Sequence, residues 1–245
     1  PRSTTTGRIN NLGAVPDAKS QANELFFKLS ANPHPNHIIV ASFRNNDYED
    51  ENAGVGVNDH PNVAVTGEGL SRVLYLSWAW TISQSTYLEL KFDRVDEKYK
   101  SVPNTDFGYK PTFDPTHPEN MGYFMTATGF IVGGATASGQ YVGAASEYNT
   151  QNFFRDELKI VLSQYLDFLG TSHLIKAGFG FDDGGEYLER KANGWGSIRY
   201  YSVPSPSLDP LRRPGFRARY YPEQPAQDSR GRTYSIFLQD TVSIG

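Results

Sequence analysis

The feature that most limits what this chain can fold into is a two-residue alternation of apolar and charged side chains. Within Phe154–Leu166, Leu158, Ile160 and Leu162 share one face, and Glu157, Lys159 and Ser163 share the other. Within His173–Asp183, Ile175, Ala177, Phe179 and Phe181 oppose Lys176, Gly178, Gly180 and Asp182. Leu88, Leu90 and Phe92 alternate in the same way with Glu89, Lys91 and Asp93. Period two sends such residues to opposite faces of a strand, one dry and one wet. Leu158, Leu162 and Leu166 also fit a four-residue repeat, but the short, turn-bounded runs around them favour a strand. The 15 Tyr, 15 Phe and 23 Gly, against 2 Met, point the same way.

The strand candidates come in pairs. Asn23–Ser30 joins His37–Asn45 through ANPHPN, Ser71–Trp80 joins Thr86–Tyr99 through TISQS, and Phe154–Leu166 joins His173–Asp183 through DFLGTS. Arg232–Ile244 is a seventh candidate without a partner. Residues 31–36, 81–85 and 167–172 are therefore expected to be short turns at one end of a sheet. Much longer stretches, near Asn46–Leu70, Lys100–Asn152 and Gly184–Gly231, separate the pairs. Compact domains rarely hold three structureless loops of that length. Short turns at one end and long loops at the other suit an outer-membrane β-barrel. Trp78 and Trp80 beside a short turn, with Tyr48, Tyr99 and Tyr187 near the long loops, match two interfacial aromatic girdles. The fold expected is all-β: an antiparallel transmembrane β-barrel fragment of about seven strands, short periplasmic turns and long extracellular loops. The chain opens at Pro1 without a secretory signal pattern and stops at Gly245 just after a strand-like run, so it reads as an internal piece of a longer protein.

Several function classes fall away. A net charge of −4 gives no electrostatic footprint for nucleic acid. Zero cysteines exclude disulfides, thiolate metal sites and a thiol nucleophile. No apolar run approaches the ~20 residues of a spanning helix, which leaves a β-barrel open. The five histidines lack metal-ligand spacing, and neither a Gly-x-Ser-x-Gly elbow nor a phosphate-binding Gly-rich loop is present. No enzyme activity, cofactor or metal is expected. Asp182, Asp183 and Glu186, and the group Asp47, Glu49, Asp50 and Glu51, offer oxygens for calcium, but without EF-hand spacing they read as solvated strand ends.

Three segments carry a family resemblance. RTYSIFLQDTVSIG, with Tyr234, Ser235, Phe237, Leu238, Gln239 and Asp240, resembles a strand of TonB-dependent outer-membrane receptors that precedes a periplasmic turn. LSWAWTISQSTYLELKFDR and KLSANPHPNHIIVASFRNND resemble two of their hairpins. The likeness is to the Oar-like branch, whose complete members place a regulatory-like domain and a plug before the barrel. It covers the hairpins, about half the chain, and leaves the long loops unmatched. The resemblance implies a barrel of about 22 strands with a plugged lumen, of which residues 1–245 supply part of the wall and no plug or regulatory-like domain. It implies a cell outer-membrane location and uptake of a nutrient ligand without covalent chemistry. The implied partners are outer-membrane lipid, the plug and remaining barrel of the parent chain, a TonB-type energy-coupling protein, and a small-molecule or peptide ligand.

Ligand contacts are sought where Arg and Tyr interleave. Arg212, Arg213, Arg217 and Arg219, with Tyr200, Tyr201, Tyr220 and Tyr221, suit an anionic or aromatic ligand through bidentate pairing and stacking. The same residues would also serve to pair with the acidic stretch Asn46–Leu70 or with lipid headgroups. The alternative reading of the whole chain is a secreted soluble β-sandwich that binds glycan through exposed aromatics. A sandwich must pack its apolar faces against each other, whereas a barrel leaves them to lipid. On the barrel reading Leu158, Ile160, Leu162, Ile175, Ala177, Phe179 and Phe181 face lipid, and Lys159, Lys176 and Asp182 face the lumen. Gly178 and Gly180, also inward, would give a plug close access to the wall.

Overall fold

The computed structural model describes residues 2–10, 13–56, 59–125, 130–132, 135–137, 141–168, 170–201 and 215–244. Its strands, in chain order, begin with β1 (Arg2–Thr5), β2 (Ile9–Asn10), β3 (Gly13–Ala14), β4 (Ala18–His34) and β5 (His37–Ala53). Then come β6 (Val65–Thr81), β7 (Thr86–Pro103), β8 (Gly122–Met125), β9 (Phe130–Val132), β10 (Ala135–Ala137) and β11 (Tyr141–Gly143). The last five are β12 (Glu147–Phe168), β13 (Thr171–Ala192), β14 (Gly196–Tyr201), β15 (Gly215–Tyr220) and β16 (Gln227–Ile244). Two single-turn 3₁₀ segments, Pro61–Val63 and Pro118–Asn120, are the helical elements among the described residues.

Eight strands form one antiparallel sheet in the order β1-β4-β5-β6-β7-β12-β13-β16. It is an open barrel fragment, with β1 and β16 at its free edges. Seven of these are the long strands expected from the alternation; the four-residue β1 is an addition, paired with the outer end of β4. The segment Phe154–Leu166 is strand throughout, within β12. Turns fall where the link lengths place them: β4 ends at His34 before His37, β6 at Thr81 before Thr86, and β12 at Phe168 before Thr171. The three long connections all leave from the opposite end.

Those connections are shorter than the sequence suggests. They run over 54–64, 104–146 and 193–226, because the strands continue well past the point where apolar alternation fades. β12 and β13 reach 22 residues each, about 70 Å of strand, and the alternating apolar stretch is only the middle of it. Beyond that stretch both faces are polar and side chains no longer need to alternate, while the backbone ladder still satisfies its N–H and C=O groups. A bulge in β5 between Asp50 and Ala53 holds Asn52 at φ 53°, a left-handed conformation that Asn tolerates better than most residues.

The connections are also folded, not loose. β11, β8, β14 and β15 make a second sheet in that order, drawn from two of the connections, with β8 and β14 parallel. It buries Phe124, Val142 and Ile198, with Phe113 and Trp195 packed against them. A neighbouring core joins Val15, Val55, Val63 and Ala64 under Tyr123, tying the remaining connection to the same body. His60 N–H donates to Tyr141 O at 2.6 Å, and Gly194 N–H to Gly108 O at 2.6 Å. A cap thus covers the long-loop end of the sheet.

Candidate functional site

Register partners lie on one face of a sheet, so the strand register fixes what each face carries. One row reads Ala31, Ile39, Trp78, Leu90, Ile160, Phe179 and Ile236 across seven strands. The adjacent row reads Leu29, Ala41, Leu76, Phe92, Leu158, Phe181 and Tyr234. Neither holds a polar side chain other than the Tyr234 hydroxyl and the Trp78 indole N–H. No described residue covers this face: Ile236 and Leu29 in these rows are 86% and 50% exposed, and Leu238 and Phe27 in the flanking rows 77% and 57%. The buried apolar residues among those described lie outside this belt, in the cap and the segments that join it.

Each end of the belt has its own chemistry. At the short-turn end, Trp78 and Trp80 stack on each other and on His37, with centroids 5.5–5.8 Å apart, and Trp78 Nε1–H donates to His37 Nδ1 at 3.0 Å. At the other end, on β7, β12, β13 and β16, the apolar rows give way to Arg94, Asp156, Asp183 and Arg232 in one register row, which continues as Leu74, Phe43 and Phe27 on β6, β5 and β4. Arg94 lies 3.6 Å from Asp156, and Arg230 and Arg232 both reach Asp183. Arg230 also lies 5.5 Å from the Phe154 ring centre. The expected outer Tyr girdle is only partly there. Tyr187 is on the apolar face, but Tyr48 and Tyr99 pair across Gly69 on the opposite one.

That opposite face is polar and internally matched through its middle. Arg44 pairs with Glu24 at 3.0 Å, Lys91 with Glu89 at 2.9 Å, and Arg155 with both Asp182 and Glu157. Lys159, Lys176 and Asp182 belong to it, opposite the Leu158–Phe181 row. Gly178 and Gly180 do too, but they are not open wall. A Cβ on Gly178 would come within 2.1 Å of the Phe237 ring, and one on Gly180 within 2.5 Å of Ser235 Oγ. Their space is filled by cross-strand neighbours, not kept for a plug. Tyr48 over Gly69 and Phe154 over Gly185 repeat the device, an aromatic ring lying on the glycine opposite it.

Nearer the cap, this face holds a groove of about 550 Å³, lined by Tyr48, Tyr99, Phe153, Glu97, Gln151 and Glu186 among others. The two acidic groups considered for calcium do not converge. Asp182 and Asp183 point to opposite faces and pair with different arginines, and Glu186 accepts from Gln151. Glu51 pairs with Lys19 at 2.7 Å, and Asp47 accepts from Asn23 and Asn45.

The Arg/Tyr candidates divide. Arg212 and Arg213 lie outside the described residues. Tyr200 and Tyr201 are in β14, in register with Phe216 and Gly215 of β15. Arg217 and Arg219 are exposed on β15, in register with Arg199 and Ser197, and neither makes an ion pair among the described residues. The acidic stretch expected to neutralise them instead meets Lys19 and Lys100. Tyr220 shares a hydrogen bond with the Tyr109 hydroxyl and packs on Trp195, and Tyr221 is half-buried beside it. Both tyrosines belong to the cap's framework.

In the cap, the Gly108 N–H and then the Tyr148 hydroxyl hold the Asp106 carboxyl below its ordinary range. Burial, and then that bond to Asp106, push the Tyr148 phenol up to about 12.

No protein-family model matches the chain, and no curated protein matches it. Its fold has a solved counterpart. The chain is similar to the outer membrane transporter YddB from Escherichia coli, with a TM-score of 0.54 and 11% identity. The likeness covers 99% of this chain and 28% of the transporter, so the chain spans under a third of that protein's length. At that identity the likeness is one of fold.

Two functional elements escaped the sequence reading. The groove draws its residues from β5, β6, β7, β12 and β13, and only the register brings them together. Asn193, whose side chain joins the segments of the cap, follows the end of β13 in the sequence KANGW. Its Asn-Gly pair is a turn signal that marks the place without revealing the partners.

Proposed function

We propose that the chain forms part of the barrel wall of a TonB-dependent outer-membrane transporter of the Oar-like branch, which takes up a nutrient ligand and carries out no covalent chemistry. One observation carries the reading: an uncovered apolar belt crosses seven strands, bordered by a Trp/His cluster at one end and a row of charges at the other. A contiguous apolar surface of this extent needs lipid or another protein layer over it. Its height also fits. With the neighbouring row of Trp80, Leu88, Leu162, Ala177 and Leu238, the apolar rows span about six residues of each strand, most of the roughly 9–11 with which a tilted strand crosses a membrane. The fold likeness to an outer-membrane transporter supports the same reading.

On this reading the polar face lines the lumen. A plug and further strands of the parent chain complete the barrel beyond β1 and β16, and a TonB-type protein supplies energy through the parent. Outer-membrane lipid covers the belt, and the exposed Arg217 and Arg219 meet ligand from outside. The sandwich alternative needs a second layer on the belt, and among the described residues there is none. Fractionating cells that produce the full-length protein tests the proposal. It should float with outer membranes and support ligand-dependent growth that a TonB-type deletion abolishes. A soluble, secreted product would overturn it.

A further inference from the structure

The groove on the polar face sets two carboxylates around three aromatic rings. Glu97, Phe153 and Glu186 occupy one register row on β7, β12 and β13. With about 4.8 Å between strands, the backbones of Glu97 and Glu186 stand about 10 Å apart with Phe153 on the strand between them. Tyr48 and Tyr99 form the next row, on either side of Gly69, and the Tyr48 ring lies over that glycine. Tyr48, Tyr99 and Phe153 are each 37–39% exposed, so their rings are presented to whatever enters.

On the same face Glu24, in the groove's own register row, and Glu89, Glu157 and Asp182, lower down, each have a cation. Glu97 and Glu186 make no ion pair among the described residues, and neither does Asp93, which stands lower in the row of Glu157 and Asp182. Among the described residues, Glu186 accepts only the Gln151 amide, and Glu97 only a long 3.5 Å bond from Ser71 Oγ. Lys98 borders the groove but alternates to the other face. Arg155, one row below, is engaged by Asp182 and Glu157, and Arg190 stands two rows above. Two carboxylates without counter-ions, set around exposed aromatic faces, have the chemistry that receives a cation by charge and by the ring quadrupole.

We infer that this groove binds an ammonium or guanidinium group of the transported ligand, over Phe153 and between Glu97 and Glu186, with Tyr48 and Tyr99 as its wall. The inference rests on the reading of the polar face as the barrel lumen and adds the ligand's charge to it. Arginine amide and citrulline amide, both acetylated at the α-nitrogen so that only the arginine side chain is cationic, serve as near-isosteric probes in calorimetric titrations of the full-length protein in detergent. Arginine amide should bind at least about tenfold more tightly than citrulline amide. The double variant Glu97→Gln, Glu186→Gln should erase that preference while the barrel keeps its heat-dependent electrophoretic shift. Equal binding of the two probes, no binding of arginine amide, or an unchanged preference in an assembled double variant would each overturn it. The comparison of probes on the unmodified protein decides the matter even if the variant fails to assemble. The fractionation experiment fails or succeeds separately, so loss of the transporter reading and loss of the cation site are distinguishable.

Discussion

Replacing Asn193 by Ala should open the cap and leave the main sheet intact. The Asn193 side chain is fully buried. Its Oδ1 accepts from Phe107 N–H at 2.7 Å, and its Nδ2 donates to Thr105 O and Ala145 O, both at 2.8 Å. Its own backbone N–H donates to Ser146 O at 2.8 Å. One side chain therefore ties both ends of the 104–146 connection to the start of 193–226. Truncation leaves one backbone donor and two acceptors without partners. At about 1–3 kcal/mol for each buried group left unsatisfied, and with some water entering the void, the loss should be about 3–6 kcal/mol. Even about 3 kcal/mol is more than a hundredfold in an opening equilibrium. Native-state hydrogen exchange on the full-length protein reads it residue by residue. Amides within 104–146 and 193–201 should lose at least that factor of protection, while mid-strand amides of β7, β12 and β13 keep theirs. Unchanged cap protection would refute the staple. Equal loss in cap and sheet would refute the separation of the two bodies.

Three further outcomes follow from the same geometry. Phe179→Lys should reduce the amount of full-length protein assembled in the outer membrane, at about 2–4 kcal/mol for a lysine near the lipid midplane, while Lys176→Gln should leave that level unchanged on quantitative blotting. Gly178→Ala should destabilise the barrel by about 1–3 kcal/mol, because the new Cβ strikes the Phe237 ring, and Phe237→Ala should restore most of the melting temperature. The cap should also lose protection at both pH extremes. Asp106, with its folded pKa depressed, stabilises above its unfolded value and is lost as acid takes pH down through the folded one; Tyr148, raised to about 12, stabilises below about 10 and is lost between about 10 and 12. Tyr148→Phe should shrink the alkaline limb in hydrogen-exchange or fluorescence titrations, leaving the part that comes from Tyr220, whose bond to Tyr109 also holds its phenol up.

What could be read in advance was whatever lipid and water impose on single residues. Leu158, Ile160 and Leu162 against Glu157, Lys159 and Ser163 define a strand and its two faces without reference to any neighbour. Turn positions followed because ANPHPN and DFLGTS are too short for anything but a reversal. Strand ends were not legible. Above Arg94 and Asp156 neither face is constrained to be apolar, yet pairing continues to Pro103 and Glu147. Height along the strand alone puts Tyr48 and Tyr99 in a girdle on the apolar face, whereas the register turns them to the polar one. Gly178 and Gly180 look like open wall in the sequence, because only the partner strand shows that Phe237 and Ser235 fill the space. The groove of Glu97, Phe153 and Glu186 spans residues that the chain separates widely, and no local pattern points to it.

The central claim is that the two faces of this sheet meet different solvents, and the absence of cysteine makes that directly measurable. Single cysteines at Lys159, Ile160, Lys176 and Phe179 of the full-length protein, spin-labelled in lipid bilayers, report collision rates with oxygen and with a water-soluble nickel chelate. Labels at Ile160 and Phe179 should collide with oxygen and be shielded from the chelate, and those at Lys159 and Lys176 should show the reverse. Chelate access at Ile160 and Phe179, or no alternation between residues 159 and 160, would contradict the lipid-facing belt and the barrel wall built on it.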